Sequence, residues 1–173
     1  MEESSGLVTM KGKPLTLIGS RLKAGDKAPG FTLLANDLSE VKLSDSAGKA
    51  RFLSVVPSLD TSACSLQTKR FNDYLAEVGD RIVAYTISCD LPFAQARFCS
   101  AEGIVNMKTL SDHREVAFGQ AYGLLIKELR LLARAVLIID AQDTIRYFQL
   151  VPEIGQEPDY EAALKALQEV LEN

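Results

Sequence analysis

The chain has 173 residues, of which 47% are hydrophobic and 24% are charged, and its formal net charge is −4 with the single histidine neutral. This composition is that of an ordinary globular protein and excludes a disordered chain. The net negative charge excludes a broad basic surface, so neither nucleic acid nor an anionic membrane is expected as a partner. The length predicts that residues 1–173 form one domain.

The beginning of the chain, M-E-E-S-S-G, is acidic where a secretory signal requires positive charge, and no apolar segment follows it. No apolar run approaches the roughly 18–20 residues of a membrane span. These features predict a soluble, cytoplasmic protein. The three cysteines are an odd number and too few for a disulfide scaffold. In a reducing compartment such cysteines are either inert core residues or chemically used.

Short apolar runs separated by turn residues predict the strands. An N-terminal hairpin extension, residues 1–19, is predicted from the apolar runs of 7–18 around the turn K-G-K-P. A second hairpin joins 31–34 to 41–43. Three runs are short and nearly all apolar, which is typical of strands buried on both faces; they are 52–56, 82–87 and 135–139. Further strands are predicted at 105–110 and 144–151.

Four helices are predicted between these strands. The first follows the N-cap residues at 60–62 and ends at Gly79, and the second is opened by Asp90 with Pro92 and closed by Gly103. A weaker helix covers 114–122, and the last, after 158–159, has a clear apolar stripe of period 3.6. The alternation predicts a largely parallel central sheet that a terminal antiparallel hairpin makes mixed. The order fits an α/β fold of the thioredoxin-like sandwich type, with the mixed sheet flanked by helices.

Cys64 lies between a predicted buried strand and the first turn of a predicted helix. A helix N-terminus offers free N–H groups and a partial positive charge, which favour a thiolate, and the thiolate is the nucleophilic form of cysteine. The alternative is that Cys64 is a small core hydrophobe on the apolar face of the helix. Position alone leaves both interpretations open.

Four separated motifs resemble the bacterial thiol peroxidases, which are atypical two-cysteine peroxiredoxins. They are P-S-L-D-T-x-x-C at 57–64 followed by K-x-F-N at 69–72, D-L-P-F-A-Q-x-R-F-C at 90–99, L-A-R-A-V at 132–136 and E-P-D-Y-E-A-A-L at 157–164. Their order matches the family, and the resemblance runs from the N-terminal hairpin to the last helix.

The resemblance implies a reaction. Cys64 would attack hydrogen peroxide or an alkyl hydroperoxide and become a sulfenic acid, and Cys99 would then form a disulfide with it that thioredoxin reduces. A second thiol protects a sulfenic acid from irreversible over-oxidation. The two cysteines are 35 positions apart, and the alternative is a structural disulfide, which a reducing cytosol disfavours. The family also implies a homodimer.

The resemblance assigns roles to three further residues. The Thr61 hydroxyl would contact the peroxide and steady the thiolate, and its alternative role is that of an N-cap. Arg134 would supply a permanent positive charge and directed donors to the thiolate and the peroxide, and its alternative is a surface salt bridge. Pro57 would shape and shield the loop, or would simply end the preceding strand.

Other chemistry is not expected. Cys89 departs from the family pattern and is read as an inert, partly buried thiol, although it also lies near the helix that starts at 90 and could compete with Cys99 for Cys64. His113 is expected to be merely solvated. One histidine and the absence of C-x-x-C spacing predict no metal site, and the absence of glycine-rich phosphate motifs predicts no nucleotide. No cofactor is required.

Two other functions are compatible with the sequence. A redox sensor would oxidise Cys64 once and pass the oxidation to a partner protein. A catalytically silent module with the same fold would consume no peroxide. Steady-state peroxide consumption with thioredoxin separates both of them from a peroxidase.

Overall fold

The structure, a computed structural model, describes residues 1–172. The strands of that region are β1 (Glu3–Met10), β2 (Lys13–Ile18), β3 (Thr32–Leu34), β4 (Glu40–Lys42), β5 (Ala50–Val55), β6 (Ile82–Ser88), β7 (Lys108–Ser111), β8 (Leu125–Ile126), β9 (Leu131–Leu132), β10 (Ala135–Ile139) and β11 (Ile145–Leu150). Its α-helices are α1 (Ser62–Leu75), α2 (Pro92–Glu102), α3 (Ala117–Ala121) and α4 (Tyr160–Glu172).

The central sheet has seven strands in the order β11-β10-β5-β6-β7-β3-β4. Strands β5, β6 and β7 are parallel to one another, and each of the four remaining neighbour pairs is antiparallel. The predicted mixed sheet is therefore confirmed, but the prediction that it is largely parallel is wrong. The reason lies in α3, whose five residues span only about 7 Å and do not carry the chain back along the sheet. The chain instead enters β10 from the opposite end and runs against β5.

A second sheet of four strands, in the order β1-β2-β8-β9, lies against one face of the first. The predicted N-terminal hairpin is present as β1 and β2, and the predicted second hairpin is present as β3 and β4. Strands β8 and β9 were not predicted, because two residues each are too short to show a period. Strand β8 fixes the N-terminal hairpin to the body of the molecule, through the pairs Leu17–Ile126 and Ile18–Leu125, and β9 pairs with β8.

The central strands are buried on both faces, as the apolar runs predicted. Along β5, Leu53 and Val55 pack into a core shared with the four-stranded sheet and α3, whereas Phe52 packs against α1 and α4 on the other face. The rings of Phe52 and Phe71 lie 4.8 Å apart in an edge-to-face contact. Ser54 also lies in this fully buried strand. Its polar side chain interrupts the apolar run 52–56 because it belongs to the hydrogen-bond network of the candidate active site.

The starts of α1, α2 and α4 and the glycine cap of α2 agree with the sequence, whereas the end of α1 and the extent of α3 differ. Gly103 ends α2 in the left-handed conformation, and the amide of Ile104 donates to the carbonyl of Cys99. Helix α1 ends at Leu75, four residues before the predicted Gly79, which instead begins a 3₁₀ turn. Helix α3 covers only part of the predicted 114–122.

Strand β7 begins at Lys108 rather than at the predicted position 105. The physical reason is Asn72 on α1, whose side-chain oxygen accepts hydrogen bonds from the backbone amides of Val105 and Asn106 at 3.1 and 2.8 Å. Those amides are therefore not available to a neighbouring strand. The same contacts tie α1 to the connection between α2 and β7.

None of the helices within residues 1–172 combines the length and the apolar character that crossing a membrane requires.

Candidate active site

Cys64 is the third residue of α1, directly after the loop that leaves β5. Its side chain is fully buried and packs with Val56, Leu59 and the ring of Phe98 from α2. A helix N-terminus carries about half a positive charge, and the apolar neighbours exclude water from the sulfur. The first turn of α1 thus directs the positive end of the helix dipole toward the sulfur, while the apolar neighbours keep solvent away.

Arg134 places a buried guanidinium against this sulfur. Only 1% of Arg134 is exposed, and its Nη2 donates to the Cys64 Sγ at 3.2 Å. Its Nη1 donates to Gln67 Oε1 at 2.9 Å, while Nε and Nη2 donate to the carbonyl of Ile154 at 3.2 and 2.8 Å. A planar guanidinium held by three partners has little freedom to turn. A fixed cation therefore faces the position that a Cys64 thiolate would occupy.

Gln67 and Ser54 complete this network, and neither was singled out in the sequence. Both side chains are fully buried, and Gln67 Nε2 donates to Ser54 Oγ at 2.8 Å while its oxygen accepts from Arg134. A buried polar group needs a hydrogen-bond partner, and here Gln67 is the partner of both Arg134 and Ser54. A signal was present, because Gln67 follows Cys64 by three residues on one helical face and Ser54 interrupts an apolar strand.

The loop before α1 is held to the start of α2 by Asp90. Its carboxylate accepts hydrogen bonds from Ser58 Oγ at 2.7 Å, from the amide of Leu59 at 2.8 Å and from Ser88 Oγ at 2.8 Å. The sequence indicated only a helix start at this position. The structure shows that Asp90 joins the segment that carries Cys64 to the segment that carries Cys99.

Thr61 and Pro57 border the same loop. Thr61 is the exposed N-cap residue of α1, but its hydroxyl donates to the carbonyl of Ser58 at 3.0 Å and makes no side-chain cap. Within the described part of the chain, no hydrogen bond joins Thr61 to Cys64. Pro57 is buried and follows Val56, whose amide still donates to the carbonyl of Ile87 at 3.0 Å. Having no N–H, Pro57 ends this pairing.

Cys99 lies on α2 with its sulfur turned toward β7. Its Sγ is 3.4 Å from Thr109 Oγ1, and that hydroxyl donates to Asn36 Oδ1 at 2.8 Å. Because a hydroxyl has one proton, the Cys99 thiol is the donor to Thr109. Cys99 lines a cavity of about 330 Å³ between α2 and the β3–β4 hairpin.

All three thiols are free in this structure, and Cys64 and Cys99 pack into different clusters. The neighbour of Cys99, Phe98, packs against the cluster that holds Cys64. A disulfide requires Cα atoms about 4.4–6.8 Å apart and sulfurs that point at each other. Because Cys99 is not among the residues packed around Cys64, the two sulfurs must be brought together by a local rearrangement before they can bond.

Cys89 has surroundings that disfavour a thiolate. It is half-buried against the main core, and burial together with the nearby carboxylates of Asp112 and Asp90 raises the pKa of its thiol to about 12. At neutral pH it is almost entirely protonated. His113 is exposed. Within residues 1–172, no group of three or more His, Cys, Asp and Glu side chains is placed to hold a metal ion.

Comparison with known proteins identifies the class. The family model described as Redoxin matches residues 23–164. The chain is 54% identical over 164 residues to the thiol peroxidase of Halalkalibacterium halodurans, covering 95% of this chain and 98% of that one. It is 51% identical over 159 residues to the thiol peroxidase of Bacillus subtilis, covering 92% and 95%.

A solved structure of a peroxiredoxin-like protein from Aquifex aeolicus is similar to the whole fold. The TM-score is 0.89 at 38% sequence identity, over 98% of this chain and 99% of that one. The chain therefore belongs to the redoxin family, and the predicted thioredoxin-like α/β fold is confirmed. Both of these relatives are bacterial thiol peroxidases, so the chain reduces peroxides with a thiol, as the sequence motifs implied.

Proposed function

We propose that residues 1–173 act as one domain that reduces hydrogen peroxide and alkyl hydroperoxides through Cys64, with Cys99 as the resolving thiol. The observation that carries this proposal is the contact between Cys64 Sγ and Arg134 Nη2 at 3.2 Å, in the buried first turn of α1. A thiolate needs such a partner, since an unpaired charge is costly in a site without water. Arg130 also acts on Cys89, but within residues 1–172 no hydrogen bond from a cation reaches the Cys89 sulfur, and burial together with Asp112 and Asp90 raises the pKa of its thiol to about 12.

The first step uses both residues. The Cys64 thiolate attacks the terminal oxygen of the peroxide, the S–O bond forms and the O–O bond breaks. The leaving oxygen takes the electron pair of the broken bond and, after protonation, departs as water or an alcohol, while the sulfur is oxidised to a sulfenic acid. Arg134 cannot give up its proton, so it acts by stabilising negative charge on the sulfur and the oxygens.

Access to the buried sulfur depends on the loop of residues 57–61. Cys64 is fully buried, whereas Asp60 and Thr61 at the tip of the loop are exposed. A small opening of this tip admits a peroxide beside Cys64. Thr61 then exchanges its bond to the carbonyl of Ser58 for a bond to a peroxide oxygen, and Pro57 keeps the inner end of the loop closed to water.

The second step joins the two cysteines. The Cys99 thiol attacks the sulfenic sulfur, an S–S bond forms, and the hydroxyl leaves as water with the proton of the thiol. The separate packing of the two residues means that this step follows a local rearrangement. A dithiol of thioredoxin supplies the two electrons that return both residues to thiols.

We further propose that the chain works as a cytoplasmic homodimer. At the start of α2, Leu91 and Phe93 are 54% and 66% exposed and offer an apolar surface for a second copy.

Mapping the disulfide tests this assignment. The protein is treated with one equivalent of hydrogen peroxide, digested without reductant and analysed by mass spectrometry. We expect the peptide that contains Cys64 to be linked to the peptide that contains Cys99. A link between Cys64 and Cys89 instead would transfer the resolving role to Cys89. Addition of thioredoxin, its reductase and NADPH should then give many turnovers, whereas a redox sensor stops after about one.

Replacing Arg134 by methionine should slow the oxidation of Cys64 by about a hundredfold, because one directed donor in a dry site contributes on that order. The rate is measured as single-turnover oxidation and as alkylation in a background where Cys89 and Cys99 are serine. Arg146→Met is the matched control, since Arg146 is an exposed arginine that pairs with Asp140, and no hydrogen bond joins it to Cys64 within the described residues. Equal rates in the two variants would contradict the role of Arg134.

A further inference from the structure

We propose that the N-terminal hairpin positions Arg134, through Glu153 and the backbone of Ile154. This inference rests on the role proposed above for Arg134. It assigns to residues 1–19 a part in the chemistry, although the hairpin contributes no side chain to the sulfur.

The first link is the carbonyl of Ile154. It accepts two hydrogen bonds from Arg134, from Nη2 at 2.8 Å and from Nε at 3.2 Å. The same Nη2 donates to Cys64 Sγ at 3.2 Å. The position of this one carbonyl oxygen therefore sets where the nitrogen nearest the sulfur can lie.

The second link joins Ile154 to the hairpin. Ile154 lies in residues 151–157, which follow β11 and form neither a strand nor a helix. Its amide donates to the carbonyl of Thr9 on β1 at 2.9 Å, and the amide of Thr9 donates to the carbonyl of Pro152 at 2.8 Å. The segment is thus paired to β1 as a short parallel bridge at Thr9 and Glu153.

The carboxylate of Glu153 strengthens this bridge. It accepts from Thr9 Oγ1 at 2.5 Å and from the amides of Lys11 and Gly12 at 3.0 and 3.4 Å. Both turn residues have positive φ, which directs their amides to the same side. These bonds, first of all that of Thr9, hold the pKa of Glu153 below its usual value. An ionised Glu153 therefore locks the turn of the hairpin onto the segment that carries Ile154.

The hairpin is itself packed against the core, so it can hold residues 151–157 in a fixed position. Val8 and Leu17 are fully buried in the main core, and β2 pairs with β8 at Leu17 and Ile126. At the exit of the hairpin, Gly19 has a φ of +115°, and a side chain there would overlap the carbonyl of Gln120. The hairpin is consequently packed closely onto the body of the molecule at both ends.

The test compares Glu153→Ala with Glu128→Ala. Glu128 is a matched control, because its carboxylate binds the same hairpin at the amide of Thr16, at 3.0 Å from each oxygen, and no bond joins it to residues 151–157 within the described chain. We expect Glu153→Ala to slow the oxidation of Cys64 by about tenfold, since small misplacements of a catalytic group cost on that order or more. Glu128→Ala should stay within about twofold of the parent protein.

The rate of the following disulfide formation provides the diagnostic readout. Glu153→Ala should leave this rate unchanged, because Arg134 serves the first step, whereas general loosening would change both steps. Glu153→Gln, which keeps an oxygen acceptor, should restore most of the oxidation rate. Equal effects of the two alanine variants, or a lower melting temperature with normal oxidation, would overturn the inference. If Cys64→Ser still turns over peroxide, the proposed function itself has failed, irrespective of Glu153.

Discussion

Replacing Cys64 by serine is expected to reduce peroxide turnover to less than a few per cent of the parent activity while leaving the fold intact. Serine is similar in size to cysteine, and its hydroxyl can accept the bond from Arg134 Nη2 that Cys64 Sγ now accepts. The buried guanidinium therefore keeps its partners, so packing and melting temperature should change little. The hydroxyl does not ionise at neutral pH and has no sulfur to be oxidised to a sulfenic acid, so the chemistry is lost.

Turnover is measured as NADPH consumption coupled to thioredoxin, and the fold by circular dichroism and thermal unfolding. Cys89→Ser is the control, since Cys89 is a half-buried thiol with a pKa of about 12 and lies outside the cluster around Cys64. It should retain nearly full activity. Substantial turnover in a folded Cys64→Ser protein would move the nucleophile to Cys89 or Cys99.

The elements that the sequence predicted well are those whose stability is local. The amphipathic stripe of α4, the glycine cap of α2 and the apolar runs of β5, β6 and β10 are all recognisable within a few residues of chain. The errors concern long-range pairing. The direction of β10 depends on how the chain returns after α3. Strand β8 pairs with the distant strand β2, and β9 in turn pairs with β8. The start of β7 depends on Asn72, more than thirty residues earlier.

The candidate site likewise has one part that the local sequence predicts and another part that depends on long-range contacts. The local motif placed Cys64 in the first turn of a helix, and the structure has it there. The groups around Arg134 come from separate parts of the chain, because Gln67 lies on α1 and Ile154 follows β11. Short-range sequence patterns carry no information about contacts between residues that are far apart in the chain. The local indications of a buried polar network were the serine within the apolar run 52–56 and the spacing of Gln67 three residues after Cys64.

Replacing Cys99 by serine is expected to preserve the first oxidation and break the catalytic cycle. Serine can make the bond to Thr109 Oγ1 that the thiol now makes, so α2 should stay in place. Peroxide should convert Cys64 to a sulfenic acid at nearly the parent rate, because Cys99 does not touch that sulfur in this structure. The sulfenic acid then has no thiol to condense with, so it should react with dimedone and drift to sulfinic acid at high peroxide.

Thioredoxin-linked turnover should consequently fall sharply in Cys99→Ser and stay nearly unchanged in Cys89→Ser. The asymmetry follows from the surroundings of the two thiols. Cys89 packs into the main core and is held protonated by burial and by Asp112, whereas Cys99 sits beside Phe98, which already contacts the cluster around Cys64. A movement of α2 therefore displaces Cys99 and the cover of Cys64 together. Opposite behaviour of the two variants would make Cys89 the resolving thiol, and full activity in both would mean that an external thiol resolves Cys64.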